Sequence, residues 1–115
     1  MDTVTLSILS EEKCDLLVAG GGVAGCCAAL AAARLGKKVI LMDDCGVLGG
    51  QATLGMVAPI SSICDRNGES FGGILDEILQ EMRAECAKVG EAQGYTSAPS
   101  LLGLILTEKL DQAAP

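Results

Sequence analysis

A cluster of glycines constrains this chain more than any other feature. Gly20, Gly21, Gly22 and Gly25 stand between an apolar run, Cys14 to Ala19, and an alanine-rich run, Val23 to Leu35. A nearly continuous apolar run of this length reads as a parallel strand buried on both faces. The glycines force a turn, and the alanine-rich run reads as a helix ended by Gly36. Lys38 to Met42 is a second apolar run of strand length. Strand, helix and strand within about 30 residues make one βαβ unit, whose crossover is right-handed.

Gly20, Gly22 and Gly25 form the pattern G-x-G-x-x-G. The pattern follows a strand directly and opens a helix. An acid, Asp43, ends the next strand 23 positions after Gly20. Each glycine has a physical reason. Gly20 lets the chain leave the strand sharply, Gly22 lets backbone approach a diphosphate, and Gly25 lets the helix press close. The amides and dipole of the helix start favour an anion. Asp43 is placed to accept hydrogen bonds from ribose hydroxyls. No G-K-[ST] follows, which excludes a P-loop. Asp43 and Asp44 would repel a 2′-phosphate, which disfavours NADP.

The rest of the chain gives weaker signals. Val4, Leu6 and Ile8 alternate with Thr5 and Ser7, which predicts a half-buried N-terminal strand over 3–9 and a turn over 10–13. Residues 43–71 read as a loop rich in Gly and Ser, long enough to be either functional or poorly ordered. Apolar positions 74, 75, 78, 79, 82, 86 and 89 predict a helix over 74–89 with Gly90 at its end. Residues 91–99 read as a linker. Ser100 is placed to cap a last helix carrying Leu101, Leu102, Ile105, Leu106 and Leu110. The expected organisation is an N-terminal strand and turn (1–13), a βαβ core (14–43), a cofactor-facing loop (44–71) and a helical segment (72–115).

The stretch DDCGVLGGQATLG follows the second strand. With the glycine turn, it resembles the FAD-dependent oxidoreductases of the glutathione-reductase-like superfamily. The resemblance is closest to the group that runs strand, GGGxAG, alanine-rich helix, strand, acid and then LGGxAT. Some of that group are similar to the flavin-binding component of heterodisulfide reductases. FGGILDEILQEM and LLGLILTEKLDQ are similar to the two helices the group places before its third strand. The resemblance implies an α/β fold: a Rossmann-like βαβ unit of a parallel sheet, incomplete, with an N-terminal strand and two further helices. It implies FAD as cofactor. Gly20, Gly22, Val23, Ala24 and Gly25 would form the diphosphate loop, with Asp43 at the ribose and Asp44 beside it. Gly49, Gly50, Gln51 and Thr53 would lie along the diphosphate, ribityl chain and flavin edge. The group more often has Pro at the position of Val23, Glu at that of Asp43 and a basic residue at that of Asp44. Asp is one methylene shorter than Glu, which implies a longer or water-bridged ribose contact.

Composition narrows partners and chemistry. The net charge of −7 disfavours nucleic acid and anionic membranes. Residues 16–33 are apolar enough to mimic a membrane span. Four glycines crowd that stretch, however, and Asp15 and Arg34 flank it. The N-terminus lacks the basic region of a secretory signal, so the cytoplasm is expected. There is no His, and the six Cys (14, 26, 27, 45, 64 and 86) make no C-x-x-C pair. No metal site is expected, and the spacing does not support the iron–sulfur clusters of longer relatives. The thiols read as small hydrophobes, with Cys45 and Cys64 in the loop that would approach the flavin. Asp76, Glu77, Glu81 and Glu85 read as a solvated helix face. No catalytic acid or base is identifiable. The chain ends where a third strand is expected, and no substrate domain is present. A truncated chain, marginally stable and inactive alone, is therefore expected, with the remainder of the flavoprotein or a redox partner as the missing half. The turn alone leaves two alternatives open: part of an NAD-binding dehydrogenase, and a non-enzymatic module docking through its sheet edge and leucine faces.

Overall fold

A computed structural model describes residues 3–57, 63–89 and 99–114, with side chains at 86–89 and 99–101 excepted. The elements are β1 (Leu16–Ala19), α1 (Val23–Arg34), β2 (Val39–Met42), a 3-10 turn (Gly50–Ala52), α2 (Ile74–Val89) and α3 (Pro99–Ala113). β1 and β2 pair in parallel with Leu16 opposite Val39 and Ala19 opposite Met42. The βαβ unit is thus present, and the fold is α/β with a partial Rossmann-like arrangement.

Local chemistry explains the ends of α1. It begins at Gly22, which has extended backbone and no side chain to cap the first amides. It stops at Leu35, whose amide bonds Ala32 O, and Gly36 at φ 73° turns the chain toward β2. α1 packs on β1, β2 and α3, and α2 packs on α3. Its alanines allow this close approach. Cys26 on α1, Ile78 and Met82 on α2, and Leu102, Ile105 and Leu106 on α3 form the core. Their 3.6-residue spacing in α2 and α3 gives each helix the stripe that fills it.

Three expectations are corrected. Thr3–Leu9 forms no strand, and Leu9 is 95% exposed. Alternation marks a strand only where a neighbour supplies the ladder, and among the described residues no strand pairs with this segment. β1 is not covered on both faces. Val18 faces α1, but Leu17 is 54% exposed, because among the described residues two strands and three helices leave the far face of the sheet bare. Ser100 does not precede α3 but lies in its first turn, after Pro99, a residue suited to the first helical position. Gly90 and most of the 91–99 linker lie outside the described residues.

Candidate functional site

The parallel register carries Gly20 and Asp43 to the same end of the sheet. Gly20 N–H continues the ladder onto Met42 O at 2.7 Å. Gly20 then turns at φ 116°, a conformation only glycine adopts readily. Gly25 sits one helical turn in, where a Cβ would lie 1.8 Å from Gly20 O. The first turn of α1 is thus pressed onto the loop backbone. A Cβ on Gly20 or Gly22 would meet no protein atom within 4 Å. The space in front of these two residues is open.

The first helical bond of α1 runs from Cys26 N–H to Gly22 O at 2.9 Å. The amides of Val23, Ala24 and Gly25 therefore precede the intrahelical ladder. With a glycine N-cap and no acidic residue in the first turn, this helix start favours an anion. Ala24 is exposed, and Val23 and Gly25 are half-buried.

The second glycine-rich segment docks on the first. Gly49 N–H donates to Gly21 O at 2.8 Å, and Gly22 and Gly49 form a parallel bridge. A Cβ on Gly50 would lie 3.1 Å from the Gly22 Cα. Gly49 and Gly50, at φ 104° and 55°, lead into the 3-10 turn. Thr53 is buried, and its hydroxyl lies 2.8 Å from Leu48 O and 3.2 Å from Gly50 O. It ties this loop together from within instead of facing outward. Gln51 is exposed, and its carbonyl accepts the Val57 amide at 2.9 Å. The structure thus brings Gly20, Gly22, Val23, Ala24, Gly25, Gly49 and Gly50 into one floor, with Thr53 beneath it.

Asp43 is exposed, yet its carboxylate is engaged. One oxygen accepts the Gly21 amide, and the other accepts the Cys45 amide at 2.7 Å. The two amides, Gly21 first, hold its carboxyl below the usual range. Asp44, also exposed, is 3.5 Å from the Cys45 thiol. That carboxylate, and Asp43 behind it, push the Cys45 thiol up, away from the reactive thiolate. Burial pushes up Cys26 and Cys27. The Cys26 thiol lies 3.2 Å from Gly21 O, beneath the turn. Among the described residues, Asp43, Asp44 and Cys45 are one close cluster of exposed metal-ligating groups, already bound to backbone and to each other.

Sequence reasoning missed two features. Gly21, the unassigned residue of the pattern, is obligatory: a Cβ there would lie 2.8 Å from both the Asp43 carboxylate and the Leu48 side chain. A third consecutive glycine was the available signal. Glu77 and Glu81 are also not a plain solvated face. Glu77 pairs with Arg34 of α1 at 2.7 Å and with Lys109 of α3 at 3.4 Å, and Glu81 pairs with Lys109. No signal within α2 itself could have revealed those partners.

The family of FAD-dependent oxidoreductases matches residues 15–114. Urocanate reductase of Eggerthella lenta is 40% identical over 94 residues, covering 79% of this chain and 14% of that protein. The tRNA uridine 5-carboxymethylaminomethyl modification enzyme of Geobacter sulfurreducens is 33% identical over 95 residues, covering 72% of this chain and 15% of that protein. The chain therefore spans about one seventh of the length of these relatives. No solved structure matches it. Among the described residues, no helix is long and apolar enough to cross a membrane.

Proposed function

The chain belongs to the FAD-dependent oxidoreductase family, and on that premise we propose that its two glycine-rich segments hold the diphosphate of FAD as one part of a larger flavoenzyme. The observation that carries this reading is the floor made by Gly20–Gly25 and Gly49–Gly50, joined backbone to backbone below open space. The residues present fit the group. Two glycines leave room for close approach, and the start of α1 offers amides to a double negative charge without a capping side chain.

In this reading Val23, Ala24 and Gly25 donate amides to the diphosphate, and Gly22 admits it. Asp43 faces the adenosine ribose, and Gln51 lies toward the ribityl chain. Thr53 acts from below by holding the second loop. Bound FAD supplies the electron-transfer chemistry of the family, while the protein supplies position and field. Residues 1–115 would form the N-terminal part of the FAD-binding domain, with substrate recognition elsewhere in the assembled enzyme. The cytoplasm is the compartment we assign. Substrate and electron acceptor are properties of that whole enzyme.

The test is reconstitution of the purified chain with FAD, followed by desalting. Retained flavin absorbance, quenched flavin fluorescence and no turnover are expected. NADH, titrated by its own fluorescence, should bind weakly or not at all. Tight NADH binding without flavin retention would replace this reading with a nicotinamide one.

A further inference from the structure

We infer that Asp43 is a positioning residue for the diphosphate loop: its carboxylate fixes the Gly20–Gly22 turn before any cofactor arrives, separately from contact with ribose. This rests on the reading that the loop holds a diphosphate. The parallel register places Asp43 just beyond β2, beside the turn that leaves β1. One of its oxygens accepts the Gly21 amide and the other the Cys45 amide. Gly21 N–H is therefore aimed sideways, at the neighbouring strand end. The Gly21 carbonyl is fixed in turn by Gly49 N–H at 2.8 Å. With both polar groups of Gly21 held, the two peptide planes that flank it are fixed directly before the start of α1.

The carboxylate is specific to the task. Both partners are donors, so two acceptor oxygens are needed, and an asparagine offers one. Glycine at 21 is part of the same device, because any side chain there would collide with that carboxylate. Each carboxylate oxygen retains acceptor capacity, so holding the loop and binding ribose are compatible. The two roles separate when the ligand lacks the ribose hydroxyls.

The experiment compares wild type, Asp43→Ala and Asp43→Asn as the full chain. Amide hydrogen exchange is first read without ligand. Gly21 exchange should rise about tenfold or more in Asp43→Ala and by less in Asp43→Asn, with Leu30 in α1 still protected as a control for folding. Affinity is then measured for FAD and for FAD lacking both adenosine ribose hydroxyls. The Asp43→Ala penalty should persist, at about tenfold or more, with the dideoxy ligand, and the ribose contact should make it larger for FAD. If Asp43→Ala unfolds, Asp43→Asn carries both measurements. Unchanged Gly21 exchange overturns the inference, as does a penalty that vanishes with the dideoxy ligand. If wild type takes up no flavin while Gly21 protection still collapses in the variant, the inference stands and the cofactor reading falls.

Discussion

At the scale of single residues, the four glycines of the turn are alike in sequence and different in physics. Gly25 is glycine because the fold leaves no room, whereas Gly22 is glycine although the fold leaves ample room. Gly25→Ala must move Gly20 O or tilt α1, and neither is a soft side chain. A loss of about 1–3 kcal/mol or more is expected, read as a melting temperature lowered by several degrees. Gly22 has φ −65°, an ordinary value, and an added methyl would meet no protein atom. Gly22→Ala should change stability by less than about 0.5 kcal/mol. If the space belongs to a diphosphate, it should nevertheless weaken FAD binding at least about tenfold, measured by flavin fluorescence. Equal melting curves with equal affinities would mean that the open space in front of Gly22 holds nothing.

At the scale of elements, α1, α2 and α3 are joined by apolar packing and by a chain of charges: Arg34, Glu77, Lys109 and Glu81. Arg34 and then Lys109 lower the Glu77 carboxyl from 4.5 to about 2. A lowered folded-state value stabilises the fold above the unfolded value and loses that effect as pH falls through the folded one. The helical layer should therefore lose stability between about pH 4.5 and 2, and Glu77→Gln should flatten that part of the profile in pH-dependent melts. The effect is modest, because Glu77 remains substantially exposed to solvent. Lys109 is different, being 7% exposed. Lys109→Met should be near neutral, whereas Glu77→Gln with Glu81→Gln leaves a buried ammonium without these partners and should destabilise more. Urea midpoints that reverse this order would show that Lys109 reaches solvent.

The elements that periodicity could reveal were legible, and those that depend on a neighbour were not. α1 and α2 match their sequence ranges within a residue, because alanine content and a 3.6-residue stripe are properties of the segment alone. Gly20 and Gly25 were readable because their constraint lies within one turn. The Thr3–Leu9 alternation is equally local, but a strand needs a partner, and among the described residues none pairs with this segment. The Asp43 contact with Gly21 and the inward Thr53 hydroxyl depend on how two loops meet across 22 residues or fold over a short turn. Spacing alone does not encode that meeting.

At the scale of the whole molecule, the surface is too large for the mass. The chain exposes 8358 Å², whereas a compact monomer of 11.7 kDa exposes about 5,900 Å². Its radius of gyration is 16.9 Å, against about 13 Å for a compact chain of this length. Part of the excess is the N-terminal arm, where Val4, Leu6, Ile8 and Leu9 stand in solvent. Another part is the sheet, where Leu16, Leu17 and Met42 are exposed at strand positions. The two parts should respond differently. Removing residues 1–13 takes away apolar side chains without core packing, so the melting temperature should move by no more than about 2 °C. Dye binding to exposed apolar surface should fall only partly, because the sheet remains bare. Leu17→Asp should reduce that remaining dye signal while leaving α1 protected from hydrogen exchange. If deleting the arm unfolds the chain, Thr3–Leu9 packs on the sheet in solution, and the bare strand face is covered by the protein's own N-terminus.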